Sequence, residues 1–215
     1  MTDQVNYRFE DGLALSALNR APYKINKVAV IGAGTLGGGI AMCFADVGIA
    51  VALRDVDRRT LNRGLQRIHE NYQHNVQRGQ LSAAQVQPRM ELLFTTFDYA
   101  DLSDADLIIE AACEKLESKL QVFRALDQVC KAGAIFATHS SSLDIEALAN
   151  TVSRPQALIG LRFCGPATDM RQVEIVPCQA TVADAVTAVV EIVRRIGKRP
   201  VLCGNAAESN FIEVH

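Results

Sequence analysis

The sequence predicts an α/β fold: a doubly wound, mostly parallel Rossmann sheet with helices on its faces. Three observations predict it. Short, continuous apolar runs alternate with amphipathic helical segments along most of the chain. The first run, Val28-Ala29-Val30-Ile31, stops at a glycine-rich turn, Gly32-Ala33-Gly34-Thr35-Leu36-Gly37, that opens a helix. The second run ends in an acid, Asp55, 21 residues past Gly34.

The elements follow in order. Residues 1–24 are polar and weakly patterned and read as an arm or linker. Residues 28–31 are apolar at every position, the pattern of a parallel strand covered on both faces. The helix that follows carries Leu36, Ile40 and Phe44 at four-residue spacing, and Gly48 stops it. A strand at 49–53 completes a strand–helix–strand unit of about 30 residues. Residues 57–79 place Leu61, Leu65, Ile68 and Tyr72 at helical spacing on a polar, basic segment. Ser82-x-x-Gln85 has the form of a capping box for a further short helix, limited by Pro88. Two helices in succession predict a helical hairpin insertion that projects from the sheet after the second strand. Strands are expected at 92–97, 107–111, 134–138 and 158–163, with helices at 115–130 and 144–150 between them. The helix at 115–130 aligns Leu116, Leu120, Phe123, Leu126 and Cys130 on one face. A strand at 173–176 comes next, then a helix opened by Thr181-x-x-Asp184 with Val182, Val186, Val189 and Val193 inward. A strand at 199–203 ends the pattern.

Composition narrows the function. The chain has 215 residues, 49% hydrophobic and 21% charged, which suits a folded globular chain. With 22 Lys+Arg against 24 Asp+Glu the net charge is −2, so the strong basic field of nucleic-acid binding is missing. No apolar stretch approaches the roughly 18 residues of a membrane span. The six cysteines stand singly, a spacing that fits neither a zinc site nor a disulfide framework. No basic-then-apolar leader is visible, and Asp3, Glu10 and Asp11 do not suit a transit peptide, so a cytoplasmic protein is expected.

The glycine turn points to a dinucleotide. Gly32 permits the tight turn, Gly34 lets the backbone approach a pyrophosphate, and Gly37 allows close helix–strand packing. The exposed N–H groups of the helix start bind the phosphate charge, and Ala33, Thr35 and Leu36 are expected at the cofactor with the glycines. An acid at Asp55 accepts from the ribose 2′-hydroxyl and repels a 2′-phosphate, which favours NAD over NADP. Arg54, Arg58 and Arg59 nearby are of the type that holds such a phosphate. Gly38 and Gly39 read as close packing.

From Lys27 onward the chain resembles the N-terminal NAD-binding domain of the L-3-hydroxyacyl-CoA dehydrogenases, the fatty-acid β-oxidation family. The stretches that carry the resemblance are KVAVIGAGTLGGGIA, VALRDVD, ADLIIEAACEKLESK, THSSSLDI, RPQALIGLRFCGP, MRQVEIV and IGKRPV, within residues 25–212. The resemblance implies hydride transfer between NAD and C3 of a 3-hydroxyacyl-CoA, a histidine taking the hydroxyl proton, and a glutamate orienting that histidine. It implies that the hairpin helps cover the acyl-CoA. It also implies that Glu174 is the orienting glutamate, that Ser141 bonds the substrate oxygen, and that Glu114 and Lys119 contact the nicotinamide half of the cofactor.

The departures are as informative. The family's L-H-F-F-N-P is Leu161-Arg162-Phe163-Cys164-Gly165-Pro166 here, so Arg162 stands at the histidine's position. With a pKa above about 12, a guanidinium takes up no proton at neutral pH. The family's S-N-T-S-S becomes Thr138-His139-Ser140-Ser141-Ser142, and its G-F-I-x-N-R becomes Asn210-Phe211-Ile212-Glu213-Val214-His215. The expected division is therefore an arm at 1–24, an NAD-binding domain at 25–209, and at 210–215 the start of a linker to a C-terminal helical domain absent from this chain. The resemblance implies that this domain supplies much of the dimer interface, so a homodimer is possible but the usual dimerisation domain is absent.

Two readings of Arg162 stand open: an ion pair with Glu174 in the space of the histidine–glutamate pair, or a cation for a substrate oxygen or anionic group. His139 is either bonded to backbone at a loop or a relocated base. His69 and His74 read as solvated, Cys164 as a small packed residue rather than a nucleophile, and the basic face of Arg58, Arg59, Arg63 and Arg67 as solvated or as a seat for the phosphates of CoA. The expected function is a dehydrogenase-like domain that binds NAD, takes an acyl-CoA type of substrate, and is impaired in the family reaction. The alternatives are an NAD-binding regulatory or scaffold module, or a piece of a multifunctional protein, and a dehydrogenase acting on another 3-hydroxy acid.

Overall fold

The structure is a computed structural model that describes residues 23–112, 115–139, 145–165, 170–203 and 211–213. Its elements run β1 (Lys27–Ile31), α1 (Thr35–Ala45), β2 (Ala50–Arg54), α2 (Arg58–Gln77), α3 (Val86–Met90), β3 (Leu93–Thr96), β4 (Leu107–Glu110) and α4 (Leu116–Val129). They continue as β5 (Ile135–Thr138), α5 (Ile145–Ala149), β6 (Leu158–Cys164), β7 (Gln172–Pro177), α6 (Ala183–Arg195), β8 (Arg199–Cys203) and β9 (Phe211–Glu213). The described strands form one sheet in the order β3-β2-β1-β4-β5-β6-β7-β8-β9.

The strands from β3 to β6 pair in parallel. β7 then runs antiparallel to β6, β8 parallel to β7, and β9 antiparallel to β8. The winding reverses between β1 and β4, and a crevice at such a switch point is where open α/β sheets bind ligands. Alternation along β1 shows that both faces are covered. Val28 and Val30 join one core with Ile40, Phe44, Leu61, Ile68, Val189 and Val193, while Ala29 and Ile31 join another with Ile108, Phe123, Leu126 and Leu148. Helices α1, α2 and α6 thus cover one face, and α4 and α5 the other.

Three expectations need correction. The hairpin follows β2, but it lies against α1 rather than projecting: Leu61, Ile68 and Tyr72 are buried, and Arg89 of α3 pairs with Asp46 at the end of α1 at 3.0 Å. Thr181 does not form a capping pair with Asp184. Its hydroxyl donates to Leu158 O at 2.7 Å and accepts from Cys178 N–H at 2.8 Å, which fastens the end of β7 to the start of β6. Val182 is the N-cap of α6 and is exposed rather than inward. Phe211–Glu213, within the expected lead-in to a further domain, forms β9, which pairs antiparallel with β8. The Ser82–Gln85 capping box forms as expected, with Ser82 N–H donating to Gln85 Oε1 at 3.0 Å. No helix among the described residues is long and apolar enough to cross a membrane.

Candidate functional site

The glycine turn joins β1 to α1, and its glycines do different work. Gly32 has φ +107, and its N–H donates to Arg54 O at 2.8 Å; a Cβ there would meet Ala111 O at 3.0 Å. Gly37 presses α1 onto the turn, because a Cβ would lie 1.8 Å from Gly32 O. Gly34 is the opposite case. It is the N-cap of α1, and a Cβ on it would meet nothing within 4 Å. Its backbone therefore faces open space, where a bulky anion can approach. Gly38 N–H makes the first turn's bond to Gly34 O at 2.9 Å, so the N–H groups of Thr35, Leu36 and Gly37 precede any intrahelical acceptor. No acid lies in that first turn to compete for them.

A fourth glycine escaped the sequence reading. Gly64 sits in the middle of α2, and a Cβ there would lie 2.6 Å from Ala33 O and 2.7 Å from Ala33 Cβ. α2 thus rests directly on the glycine turn. The signal was available: an isolated glycine inside a helical pattern costs about 1 kcal/mol against alanine and calls for a packing reason.

Asp55 leaves the end of β2 and reaches back to the same turn. Its Oδ2 accepts from Ala33 N–H at 2.7 Å and its Oδ1 from Val56 N–H at 2.7 Å. Each oxygen keeps a lone pair for a ribose hydroxyl. Arg54 is engaged elsewhere, its guanidinium 4.0 Å from the centroid of the Tyr99 ring. Arg58 and Arg59 are exposed in the first turn of α2. Open space at Gly34, the uncommitted amides of α1 and the fixed carboxylate of Asp55 together fit a dinucleotide with an unphosphorylated ribose.

On the other side of the switch point, Lys119 does not reach into the crevice with a free ammonium. It is 1% exposed and lies against Glu110, which is 0% exposed, Thr138 and the carbonyl of His139. Glu114, expected at the nicotinamide half, and Ser141, expected at the substrate oxygen, lie outside the described residues.

β6 and β7 place Arg162 directly opposite Glu174, and the side chains form an ion pair with Nη2–Oε2 at 2.7 Å. The side chains are 30% and 16% exposed, so the pair is partly screened by solvent. Arg162 Nε is buried without a partner among the described residues. Cys164 lies two residues on, and burial, with Glu174 beside it, pushes its thiol above the ordinary value, away from the thiolate a nucleophile needs. Gly165 has φ +107, a conformation that favours glycine.

His139 follows β5. Its N–H donates to Glu110 O at 2.8 Å, and its ring Nε2 lies 3.3 Å from Phe163 O, a distance at which that nitrogen donates. The ring stacks on Phe163 at 6.5 Å between centroids. Phe163 belongs to the core on the α1 and α6 face, so Arg162, its neighbour along β6, points to the other face. His139 and Arg162 are not brought together. Burial also lowers the His139 pKa below 6.5, which keeps the ring neutral. His69 and His74 are exposed on α2. Among the described residues no group of metal-ligating side chains is assembled.

Comparison with known proteins agrees with this geometry. A family model described as 3-hydroxyacyl-CoA dehydrogenase, NAD binding domain, matches residues 27–206. The chain is 38% identical over 179 residues to a 3-hydroxyadipyl-CoA dehydrogenase of Escherichia coli (strain K12), covering 83% of this chain and 38% of that protein. It is 34% identical over 184 residues to a glyoxysomal fatty acid beta-oxidation multifunctional protein of Brassica napus, covering 86% of this chain and 25% of that protein. Among solved structures, a (S)-3-hydroxybutyryl-CoA dehydrogenase from Ralstonia eutropha superposes with a TM-score of 0.83 at 28% identity, over 85% of this chain and 65% of that one. A 3-hydroxybutyryl-CoA dehydrogenase from Escherichia coli K12 gives 0.82 at 38% identity, over 85% of this chain and 39% of that one. The chain thus spans between 25% and 38% of the length of these two curated relatives. A match that begins at β1 and runs past β8 places the chain: it belongs to the 3-hydroxyacyl-CoA dehydrogenase family, carries that family's NAD-binding domain, and has NAD as its cofactor.

Proposed function

We propose that this chain binds NAD across the ends of β2, β1, β4 and β5 but carries out the family's alcohol oxidation slowly or not at all. The Arg162–Glu174 ion pair, 2.7 Å long at the position of the family's histidine–glutamate pair, is the observation that carries this reading. When bound, NAD supplies a hydride acceptor. The chain's own residues would hold it: the first amides of α1 at the pyrophosphate, Asp55 at the adenosine ribose. Among the described residues no proton acceptor stands at position 162, since a guanidinium paired to a carboxylate stays protonated at working pH. Loss of a general base costs about 10²–10⁴ in rate.

The substrate class we infer is an acyl-CoA. The names of the relatives support it, as does the exposed row of Arg58, Arg59 and Arg63 on α2, which suits the phosphates of CoA. Residues 25–209 act as the NAD-binding domain in this reading and 1–24 as an arm. The dispersed, unpaired thiols of Cys43, Cys130, Cys164, Cys178 and Cys203 support a reducing compartment, the cytoplasm in the simplest case. Titration calorimetry with NADH followed by acetoacetyl-CoA tests the reading: NADH binds saturably, and the acyl-CoA then binds without fast turnover. No heat with NADH would remove the cofactor claim, and rapid turnover the claim of impairment.

The Arg162 side chain, 30% exposed, favours a second reading in which its guanidinium donates to a substrate oxygen. NADH formation from a free 3-hydroxy acid would support it, and loss of that activity in Arg162→Met would tie it to this residue.

A further inference from the structure

Glu110 ends β4 at the point where the sheet reverses its winding, with β1 on one side and β5 on the other. It is 0% exposed and Lys119 is 1% exposed, so both charges are withdrawn from water. The two carboxylate oxygens do different work. Oε1 accepts from Ala112 N–H at 2.8 Å; Oε2 accepts from Lys119 Nζ and from Thr138 Oγ1, the latter at 3.1 Å. Lys119 Nζ also donates to Thr138 Oγ1 at 3.1 Å and to His139 O at 3.3 Å. The backbone of Glu110 takes part as well, its carbonyl accepting from His139 N–H at 2.8 Å.

One side chain therefore joins the end of β4, the first turn of α4 and the end of β5. Stability does not account for it, because a buried ion pair recovers little beyond its own desolvation, and two apolar side chains of similar volume serve as well or better. What the network determines is geometry: the separation and direction of the chain where it leaves the sheet at Ala112 and at His139. Asp55 marks the adenosine side of the crevice, so the other half of a dinucleotide lies over the ends of β4 and β5. We propose that Glu110 is a positioning residue for the nicotinamide half of NAD, acting through Lys119 and the Ala112 and His139 backbone without touching the cofactor. The proposal rests on the NAD-binding reading and extends it to a residue that makes no contact.

Two variants test it: Glu110→Gln, which keeps size and an acceptor, and Glu110→Leu with Lys119→Met, which replaces the charges by apolar volume. Three readouts apply to each: thermal melting, amide hydrogen exchange at Ala112 and His139 without ligand, and affinity for NADH against ADP, which lacks the nicotinamide half. The apolar pair is expected to melt no lower than wild type. In both variants the two amides exchange faster, NADH binds about tenfold more weakly, and ADP binding is unchanged. Wild-type NADH affinity in the apolar pair overturns the proposal, as does equal loss for NADH and ADP. A third variant, Lys119→Met alone, that weakens NADH binding while Glu110→Gln binds like wild type would replace positioning by direct contact from Lys119. If both variants fail to fold, the pair is a stability element and the proposal falls. Failure of the underlying reading looks different: wild type itself then binds neither NADH nor ADP.

Discussion

A single exchange, arginine for the histidine that the resemblance implies, is the ground for the proposed loss of chemistry, and its surroundings show how the protein accommodates it. Across paired strands Arg162 meets Glu174 at 2.7 Å, so the charge is neutralised where it stands. Glu174→Gln leaves a partly buried guanidinium without its counter-charge; about 1–2 kcal/mol of stability should be lost in urea unfolding, less than a fully buried pair would lose because Arg162 is 30% exposed. His139 yields a pH prediction. Burial holds its pKa below 6.5 in the folded chain, so between that lowered value and 6.5 the unfolded chain binds more protons. Its contribution to stability is therefore complete above about pH 6.5 and is lost as pH falls through that window. Melting curves collected across the window should show a downward slope in wild type that His139→Asn reduces. Gly34 and Gly37 were legible because each serves the backbone within a few residues of itself. Glu110 was not: an acid closing an apolar run says nothing of the lysine nine positions on, or the threonine 28 positions on, that it will meet.

Among the elements, the α2 helix carries the clearest lesson. Its apolar spacing showed a helix and its inward face, and Leu61, Ile68 and Tyr72 are indeed buried. The spacing could not show which neighbour receives that face, and the receiver is α1 together with the glycine turn. Gly64→Ala improves intrinsic helix propensity by about 1 kcal/mol. It also puts a methyl 2.6 Å from Ala33 O, backbone that cannot yield without moving the turn. The variant should melt lower than wild type and bind NADH more weakly, although it touches no ligand; a higher melting temperature with unchanged NADH binding would show that α2 and the turn are independent. The start of α6 was misread for a related reason. Thr181-x-x-Asp184 has the form of a cap, yet the threonine hydroxyl is drawn to Leu158 O, 23 residues away in the chain. Local patterns predict local bonds, and a tertiary acceptor overrides them.

For the whole molecule, the doubly wound sheet was legible because every apolar run and every helical face pointed to the same architecture. The order β3-β2-β1-β4-β5-β6 follows from parallel pairing and crossover helices. The reversal of β7 and the added strand β9 did not follow from periodicity, since run length carries no direction. The same architecture sets the terms of function. In the proposed reading it builds a dinucleotide crevice from backbone and one acid, and leaves the acid–base step to the side chain at position 162 of β6. The most direct test is the rate of NADH oxidation with acetoacetyl-CoA at saturating NADH, measured for wild type and for Arg162→His. With Glu174 in place to orient the new imidazole, the variant should run at least about tenfold faster than wild type at unchanged NADH affinity. Equal rates, with wild type turning over as fast as the histidine variant, would contradict the claim that the chain lacks its proton acceptor.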